Sequence, residues 1–179
     1  GIKTVAQAKN ILSLGVEKIS LSSTAINKPA LLVELAQEVG SQSVVVTLDV
    51  KRKRFGSGHN IYSINGTRKH DLSLPDMLDK LQQMGVGELV INSIDHDGKM
   101  MGYDFDLLKK VRSMVKIPIT ALGGAGKLED FHRLVQDNGI IGMAAGSFFV
   151  FKGKFRAVLI SYPSADDKDF IYNNKNVEA

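Results

Sequence analysis

The sequence contains one long-period repeat that is complete near its end and incomplete at its start. An apolar run at 117–122 leads into the glycine-rich residues 123–126, and a helix-like stretch then leads to a second apolar run at 143–149. Residues 1–25 repeat only the later part of this pattern, with Gly1 where the glycine-rich residues would stand. Repeats at a long period indicate a duplicated architecture. Because the strand that should precede Gly1 is missing, we expect a duplicated fold without its first strands.

Strand and helix patterns alternate along the chain, which is typical of a parallel sheet with helical crossovers. The predicted strands are 19–22, 43–50, 88–94, 117–122 and 142–149, and the predicted helices are 4–14, 29–40, 74–84, 104–115 and one from 127 onward. The repeat spans about 123 positions, from Gly1 to Gly124, which fits four of the eight units of a barrel of about 250 residues. We therefore predict an α/β fold, a (β/α)8 TIM barrel of which this chain holds about five βα units.

A doubly wound sheet is the alternative fold, with residues 123–126 as a nucleotide-binding loop. Those residues lack the full G-x-G-x-x-G spacing, which weakens a dinucleotide interpretation. Residues 51–70 are basic and contain Asn65-Gly66 after an alternating stretch, which predicts a β-hairpin insertion. The predicted organisation is a partial barrel over 1–163 and a C-terminal tail over 164–179.

Composition limits the partners to expect. The chain has 179 residues, 44% of them hydrophobic, which is enough for one core, and its lack of cysteine excludes disulfides and thiolate metal sites. A formal charge of +4 favours anionic partners such as phosphorylated metabolites, whereas no basic-aromatic interleaving points to nucleic acid. No apolar run approaches the roughly 18 residues of a membrane span. We expect a cytoplasmic protein with no cofactor and no metal.

Functional residues in such barrels lie after the carboxyl ends of the strands. Backbone N–H groups there, at a helix start, would form a phosphate cradle; the predicted residues are Gly123, Gly124, Ala145 and Gly146, with Asp97 and Gly98 shaping the loop or contacting substrate. Their repeat mates Gly1, Ser22 and Ser23 would form a second cradle, which implies a ligand phosphorylated at both ends. The alternative is that these glycines only permit tight turns.

Asp49 ends the apolar strand 43–50 and is predicted to transfer protons, because a carboxylate at that position contributes little to stability. The alternative is an ion pair with Lys51 or Arg52. The basic residues 51–54 are expected to be solvated and to attract anions. Three histidines are expected at the surface, namely His59, His70 and His132.

Several separated motifs resemble one known family, the cyclase (HisF-like) subunit of imidazole glycerol phosphate synthase. They are GIKT (1–4), KISL (18–21), GSQSVVVTLDVKR (40–52), GELV (87–90), SIDHDG (93–98), GYD (102–104) and GGAG (123–126). The resemblance implies a barrel that receives ammonia from a glutaminase subunit and acts on a bis-phosphorylated ribosyl carboxamide. It places Asp49 as one of two acid–base aspartates, the other lying on a strand this chain lacks. It places Lys18 and Glu88 at the ammonia gate; an ordinary ion pair is the alternative.

Some positions depart from that family, notably Ser22, Ser23, Asn92 and Leu122. The segment 151–163 resembles the glycosyl amidation-associated paralogue of surface-polysaccharide (lipopolysaccharide, O-antigen) biosynthesis, which implies ammonia transfer to a separate sugar amidotransferase. Three hypotheses follow: an ammonia-channelling barrel for sugar amidation, the cyclase of histidine biosynthesis, and a non-catalytic scaffold. The chain alone is expected to be inactive.

Overall fold

The computed structural model describes residues 1–173, in which helices and strands alternate. The strands are β1 (Ile19–Leu21), β2 (Val44–Arg52), β3 (His59–Ser63), β4 (Arg68–Ser73), β5 (Glu88–Ser93), β6 (Ile119–Leu122), β7 (Gly142–Met143), β8 (Phe151–Lys152) and β9 (Ala157–Val158). The helices are α1 (Val5–Ser13), α2 (Ser23–Asn27), α3 (Ala30–Val39), α4 (Leu74–Gln83), α5 (Phe105–Met114), α6 (Leu128–Asn138), α7 (Ser147–Val150) and α8 (Ala165–Tyr172).

Five strands form a parallel array in the order β1-β2-β5-β6-β7. When the hairpin β3–β4 is left out, strands that are adjacent in this array are also consecutive along the chain. Consecutive units of a (β/α)8 barrel are arranged in the same way. This confirms the predicted α/β fold. The first half of β2 pairs with β1, with Val44 opposite Ile19, and its second half pairs antiparallel with β3, with Asp49 opposite Tyr62. The predicted hairpin is present, with a turn at Asn65-Gly66 in positive φ.

Parallel strands place all their carboxyl ends at one edge of the sheet and all their amino ends at the other. We call these the carboxyl edge and the amino edge. In β2, Val46, Leu48 and Val50 are buried in the core shared with the helices. Successive side chains of a strand point to opposite faces, so Thr47 and Asp49 lie on the face away from those helices, which we call the inner face. The inner face therefore carries polar groups, whereas the outer face packs against the helices.

Side-chain caps determine where the helices begin. Thr4 Oγ1 accepts a hydrogen bond from Gln7 N at 3.2 Å, as the sequence predicts for the start of α1. Ser73 Oγ accepts one from Asp76 N at 3.2 Å at the start of α4. These bonds satisfy N–H groups that have no partner within the helix.

The predicted strand 142–149 is wrong over most of its length. Only Gly142–Met143 pairs as a strand, and Ser147–Val150 forms a short helix. Phe148 and Phe149 both pack against Phe131, and their ring centroids lie 4.9 and 6.2 Å, respectively, from the ring centroid of Phe131. Both rings therefore lie on one side of the chain. An extended strand would point successive side chains to opposite faces, which excludes that packing.

The C-terminal region is partly helical. Helix α8 packs against α6, where the rings of His132 and Phe170 stack at 5.1 Å and Ile171 is buried. The tail predicted over 164–179 thus includes a packed helix, and its residues 174–179 lie outside the described part. Within residues 1–173 no helix is long and apolar enough to cross a membrane.

Candidate functional site

Asp49 is held at the carboxyl edge by the neighbouring strand. Asn92 of β5 lies opposite Asp49 in the sheet register, and its Nδ2 donates a hydrogen bond of 2.9 Å to Asp49 Oδ1. Within the described residues Asp49 makes no ion pair, and Arg52 lies instead 4.0 Å from Asp106. The buried Asn92 Oδ1 has no hydrogen-bond partner among these residues. A fixed carboxylate and an unsatisfied acceptor therefore lie side by side on the inner face.

Six residues predicted to bind phosphate come together around one small cavity at the carboxyl edge. It is lined by Asp97, Gly98, Gly123, Gly124, Ala145 and Gly146, together with Met100, Ala125 and Ser147. Gly123 and Gly124 have φ of +93° and +108°, and a Cβ on Gly124 would collide with Gly102 O, so both positions need glycine.

This cavity measures about 10 Å³, roughly enough for one water molecule. A phosphoryl group fits only after the loops around it separate. No lysine or arginine lines the cavity, and Asp130 Oδ2 accepts hydrogen bonds from Gly126 N at 2.8 Å and Lys127 N at 3.1 Å. The amides at the start of α6 are thus already engaged by a carboxylate.

The predicted second cradle is less developed. Ser23 Oγ accepts a hydrogen bond from Ile64 N of the hairpin turn at 3.2 Å, and Thr24 Oγ1 donates one to Ile2 O at 3.1 Å. The structure thus brings the start of the chain near Ser22 and Ser23, while Gly1 itself is exposed.

Lys18 and Glu88 meet at the amino edge. Lys18 Nζ lies 2.7 Å from Glu88 Oε2, and Thr120 Oγ1 donates a hydrogen bond of 2.6 Å to Glu88 Oε1. Burial raises the pKa of the Glu88 carboxyl, but the hydrogen bonds from Lys18 and Thr120 outweigh burial and leave that pKa below its ordinary value. The hydrogen bond to Glu88 raises the pKa of Lys18. Both groups are therefore charged near neutral pH.

A cluster of two partly buried histidines around Asp104 was not expected from the sequence. His59, predicted at the surface, has a side chain only 8% exposed, and its Nε2 lies 3.8 Å from Asp104 Oδ2. His96 Nε2 lies 3.8 Å from the same oxygen, and His96 Nδ1 donates a hydrogen bond of 2.8 Å to Gly102 O. The prediction for His59 was wrong because β3 pairs with the end of β2 and so brings its first residue against the loop after β5.

Asp104 is the centre of this cluster. Its Oδ1 accepts a hydrogen bond of 3.0 Å from Leu107 N and so caps α5. The neighbouring His59 imidazole lowers the pKa of the Asp104 carboxyl, against the effect of burial, and the Leu107 amide and His96 add to the lowering. Within residues 1–173 no three histidine or acidic side chains are arranged to hold a metal ion. Two sequence motifs lie at this cluster, because SIDHDG contains His96 and GYD contains Asp104.

A large open cleft adjoins the histidine cluster. It measures about 1290 Å³ and is lined by residues of the 51–55 segment, the hairpin, and the loop and helix start at 95–106. It shares no lining residue with the small glycine-lined cavity, and Asp49 does not line it.

The sequence is similar to those of several known proteins. Residues 1–156 match the family model described as "Histidine biosynthesis protein". The chain is 51% identical to the "Putative imidazole glycerol phosphate synthase subunit hisF3" of Vibrio vulnificus, over 94% of this chain and 65% of that protein. It is 48% identical to the "Putative imidazole glycerol phosphate synthase subunit HisF" of Leptospira borgpetersenii, over 96% and 68%. It is 36% identical to the "Imidazole glycerol phosphate synthase subunit HisF" of Natranaerobius thermophilus, over 85% and 60%.

The chain thus spans about two thirds of the length of the curated relatives that it matches, since the matched shares are 65%, 68% and 60% of those proteins. The family match covers the parallel strands β1, β2, β5, β6 and β7, the hairpin and the glycine-rich loop. The chain therefore belongs to the histidine biosynthesis protein family, as a HisF-like member.

Proposed function

We propose that this protein is the ammonia-receiving barrel of a glutamine-dependent complex that amidates a sugar in surface-polysaccharide biosynthesis. The observation that carries the proposal is a row of polar side chains along the inner face. This row begins at the Lys18–Glu88 ion pair on the amino edge and ends at the Asp49–Asn92 pair on the carboxyl edge.

The row consists of polar contacts between neighbouring strands. Ser20 Oγ of β1 and Thr47 Oγ1 of β2 lie 2.8 Å apart, and Thr120 of β6 bonds to Glu88. Hydroxyl groups both donate and accept hydrogen bonds, so they can solvate a small polar molecule such as ammonia between the two edges. An apolar inner face would stabilise the barrel at least as well, so a retained polar row suggests a role in transport.

The amino edge also offers a surface for a glutaminase partner. The loops that precede β1 and β7 expose Leu14 and Ile140, with 83% and 96% of their surfaces accessible, and Val16 is exposed nearby in sequence. Exposed large apolar side chains next to a charged pair are typical of protein contact surfaces. Ammonia released there would enter at Lys18–Glu88.

The carboxyl edge favours ammonia delivery over ring closure. A cyclase must hold both phosphates of its substrate, whereas the glycine-lined cavity takes about one water molecule and has Leu122 on the strand leading into it. Phosphate binding by the Gly123–Gly124 and Ala145–Gly146 loops, with Asp97 and Gly98, remains part of the proposal and requires the loops to part. The corresponding residues of the other repeat, Gly1, Ser22 and Ser23, would hold the second phosphate of the ligand.

The second candidate is the cyclase of histidine biosynthesis. The fixed geometry of Asp49 favours it, because Asn92 orients that carboxylate toward the inner face as an acid–base group requires. The relatives named as imidazole glycerol phosphate synthase subunits support the same assignment. A scaffold without any catalytic role is the third candidate.

The test combines the full-length protein with its glutaminase partner. We expect the barrel to stimulate glutamine hydrolysis and to support ammonia transfer to a sugar amidotransferase. Glu88→Gln should reduce transferred ammonia without reducing total glutamine hydrolysis, while Glu34→Gln on the outer surface should leave both unchanged. Asp49→Asn should leave ammonia transfer intact, whereas it should abolish turnover of the histidine-pathway substrate if the cyclase assignment is correct. No stimulation of the glutaminase would leave the scaffold role.

A further inference from the structure

The large cleft beside the hairpin carries an excess of positive charge. Seven lysine and arginine side chains line it, against four aspartates. Lysines 51, 53, 69 and 99 make no ion pair among the residues that the structure describes. Cations gathered around one cleft repel each other, and an anion placed among them removes that repulsion.

The acidic residues of the cleft do not neutralise these lysines, because three of the four are already engaged. Asp95 Oδ2 accepts a hydrogen bond of 2.7 Å from Arg52 N. Asp106 lies 4.0 Å from the Arg52 guanidinium, and Asp104 caps α5 and faces the two histidines. The local excess of positive charge is therefore available to a ligand.

His59 gives a second and independent indication of a ligand. Its ring lines the cleft, yet its Nδ1 and Nε2 are both shielded from solvent and lack a hydrogen-bond partner within residues 1–173. A buried polar group without a partner costs about 1–3 kcal/mol. Neutral imidazole always has one N–H donor, so an acceptor oxygen that reached the ring would remove this cost.

We propose that the cleft is a binding site for a small polyphosphate-type anion, with the lysines around it and His59 at its floor. Such a ligand carries several charged oxygens, which can contact lysine ammonium groups at the rim while one accepts from the His59 N–H. This site goes beyond the proposed function, because none of its lining residues belongs to the inner polar row or to the glycine-lined cavity.

A small anion fits these features better than an acidic segment of a protein. Lysine is depleted from the central part of protein interfaces, whereas it commonly binds phosphate as a point charge. In addition, a phosphoryl oxygen is smaller than a peptide segment and needs less movement of the cleft walls to reach the shielded ring nitrogens of His59. The carboxylates of a peptide would meet only the lysines at the rim.

The test uses inorganic pyrophosphate as the probe, with inorganic phosphate and a glutamate-rich peptide as comparisons, measured by calorimetry and by thermal unfolding. We expect saturable pyrophosphate binding that raises the melting temperature, with weaker binding of phosphate. Lys53→Glu and Lys69→Glu should each weaken pyrophosphate binding about tenfold, the size expected when a hydrogen bond to a charged group is lost. Lys110→Glu on α5 makes the same change in net charge outside the cleft and should have little effect.

His59→Phe separates this proposal from a purely structural role. Loss of the 3.8 Å contact between His59 Nε2 and Asp104 Oδ2 should lower the stability of the free protein, and pyrophosphate binding should weaken as well. The proposal would be overturned by any of four results. These are no saturable pyrophosphate binding, equal effects of Lys53→Glu and Lys110→Glu, tighter binding of the acidic peptide than of pyrophosphate, and unchanged pyrophosphate binding in His59→Phe. None of them depends on ammonia transfer, so failure here leaves the proposed function standing.

Discussion

Asp104 connects the start of α5 with the two histidines beside the cleft, so its replacement tests both contacts. Asp104→Ala removes the cap on Leu107 N and should lower the free energy of unfolding by about 1 kcal/mol. Asp104→Asn retains a capping oxygen and should lose less. Asp106→Ala, exposed in the same helical turn, is the matched control and should change stability only slightly. Chemical denaturation at pH 7 measures all three, and equal losses for Asp104→Ala and Asp106→Ala would contradict the capping role.

The same residue makes stability depend on pH. Its folded-state pKa is lowered from the ordinary 3.8, so the charged form stabilises the folded protein. This contribution is fully present above the ordinary pKa and is lost as the pH falls through the lower folded pKa. The stability difference between the wild type and Asp104→Asn should therefore shrink in acid. A difference that stays constant from pH 7 to pH 2 would show that the charge contributes nothing.

At the residue scale, the contacts that could be predicted from the sequence are those that strand register determines. The proximity of Lys18 and Glu88 follows from their positions next to strands that both flank β2. His59 was misplaced, because its burial depends on how the hairpin folds back onto the loop after β5. No pattern within the hairpin itself encodes that contact.

At the element scale, the hairpin β8–β9 reaches across to the loop that follows β5. Arg156 Nη2 donates a hydrogen bond of 2.8 Å to Gly98 O, and its guanidinium lies 5.0 Å from the ring centroid of Phe151. Arg156→Ala should loosen the loop, and amide exchange at Asp97–Lys99 should speed up about fivefold for a lost bond of about 1 kcal/mol. Lys154→Ala, in the same turn without such a contact, is the control. Unchanged exchange in Arg156→Ala would mean that the loop is held by its own turns.

Elements with strong local signals were predictable, and elements set by tertiary contacts were not. Thr4, Gly40 and the Asn65-Gly66 turn mark boundaries that the structure reproduces within a residue or two. The prediction of a strand over 142–149 was wrong at its end, because a short apolar run is compatible with either a strand or a helix. Packing against Phe131 favours the helix. The size of the glycine-lined cavity could not be foreseen, because it depends on how closely three loops approach each other.

At the scale of the whole molecule, the repeat favoured a barrel over a doubly wound sheet. Its spacing set the number of units, and the parallel order β1-β2-β5-β6-β7 agrees with that count. The two edges of the sheet then separate the proposed roles, with ammonia entry at the amino edge and anionic ligands at the carboxyl edge. The sequence could not reveal the cleft, because its walls come from segments up to about 80 positions apart, from Lys51 to Arg133.

This division between edges gives a prediction for the complex. If the glutaminase docks on the amino edge, Leu14→Asp and Ile140→Asp should each weaken its binding about tenfold, because a charge replaces an apolar contact that becomes buried. Both side chains are almost fully exposed in the structure, so the melting temperature of the barrel alone should not change.

Phe155→Asp is the matched control, because Phe155 is 91% exposed in the turn that approaches Gly98 at the carboxyl edge. Titration of the glutaminase with each variant measures the dissociation constant. Weaker binding with Phe155→Asp, together with wild-type binding by Leu14→Asp and Ile140→Asp, would place the partner at the carboxyl edge and remove the proposed ammonia entry at Lys18–Glu88.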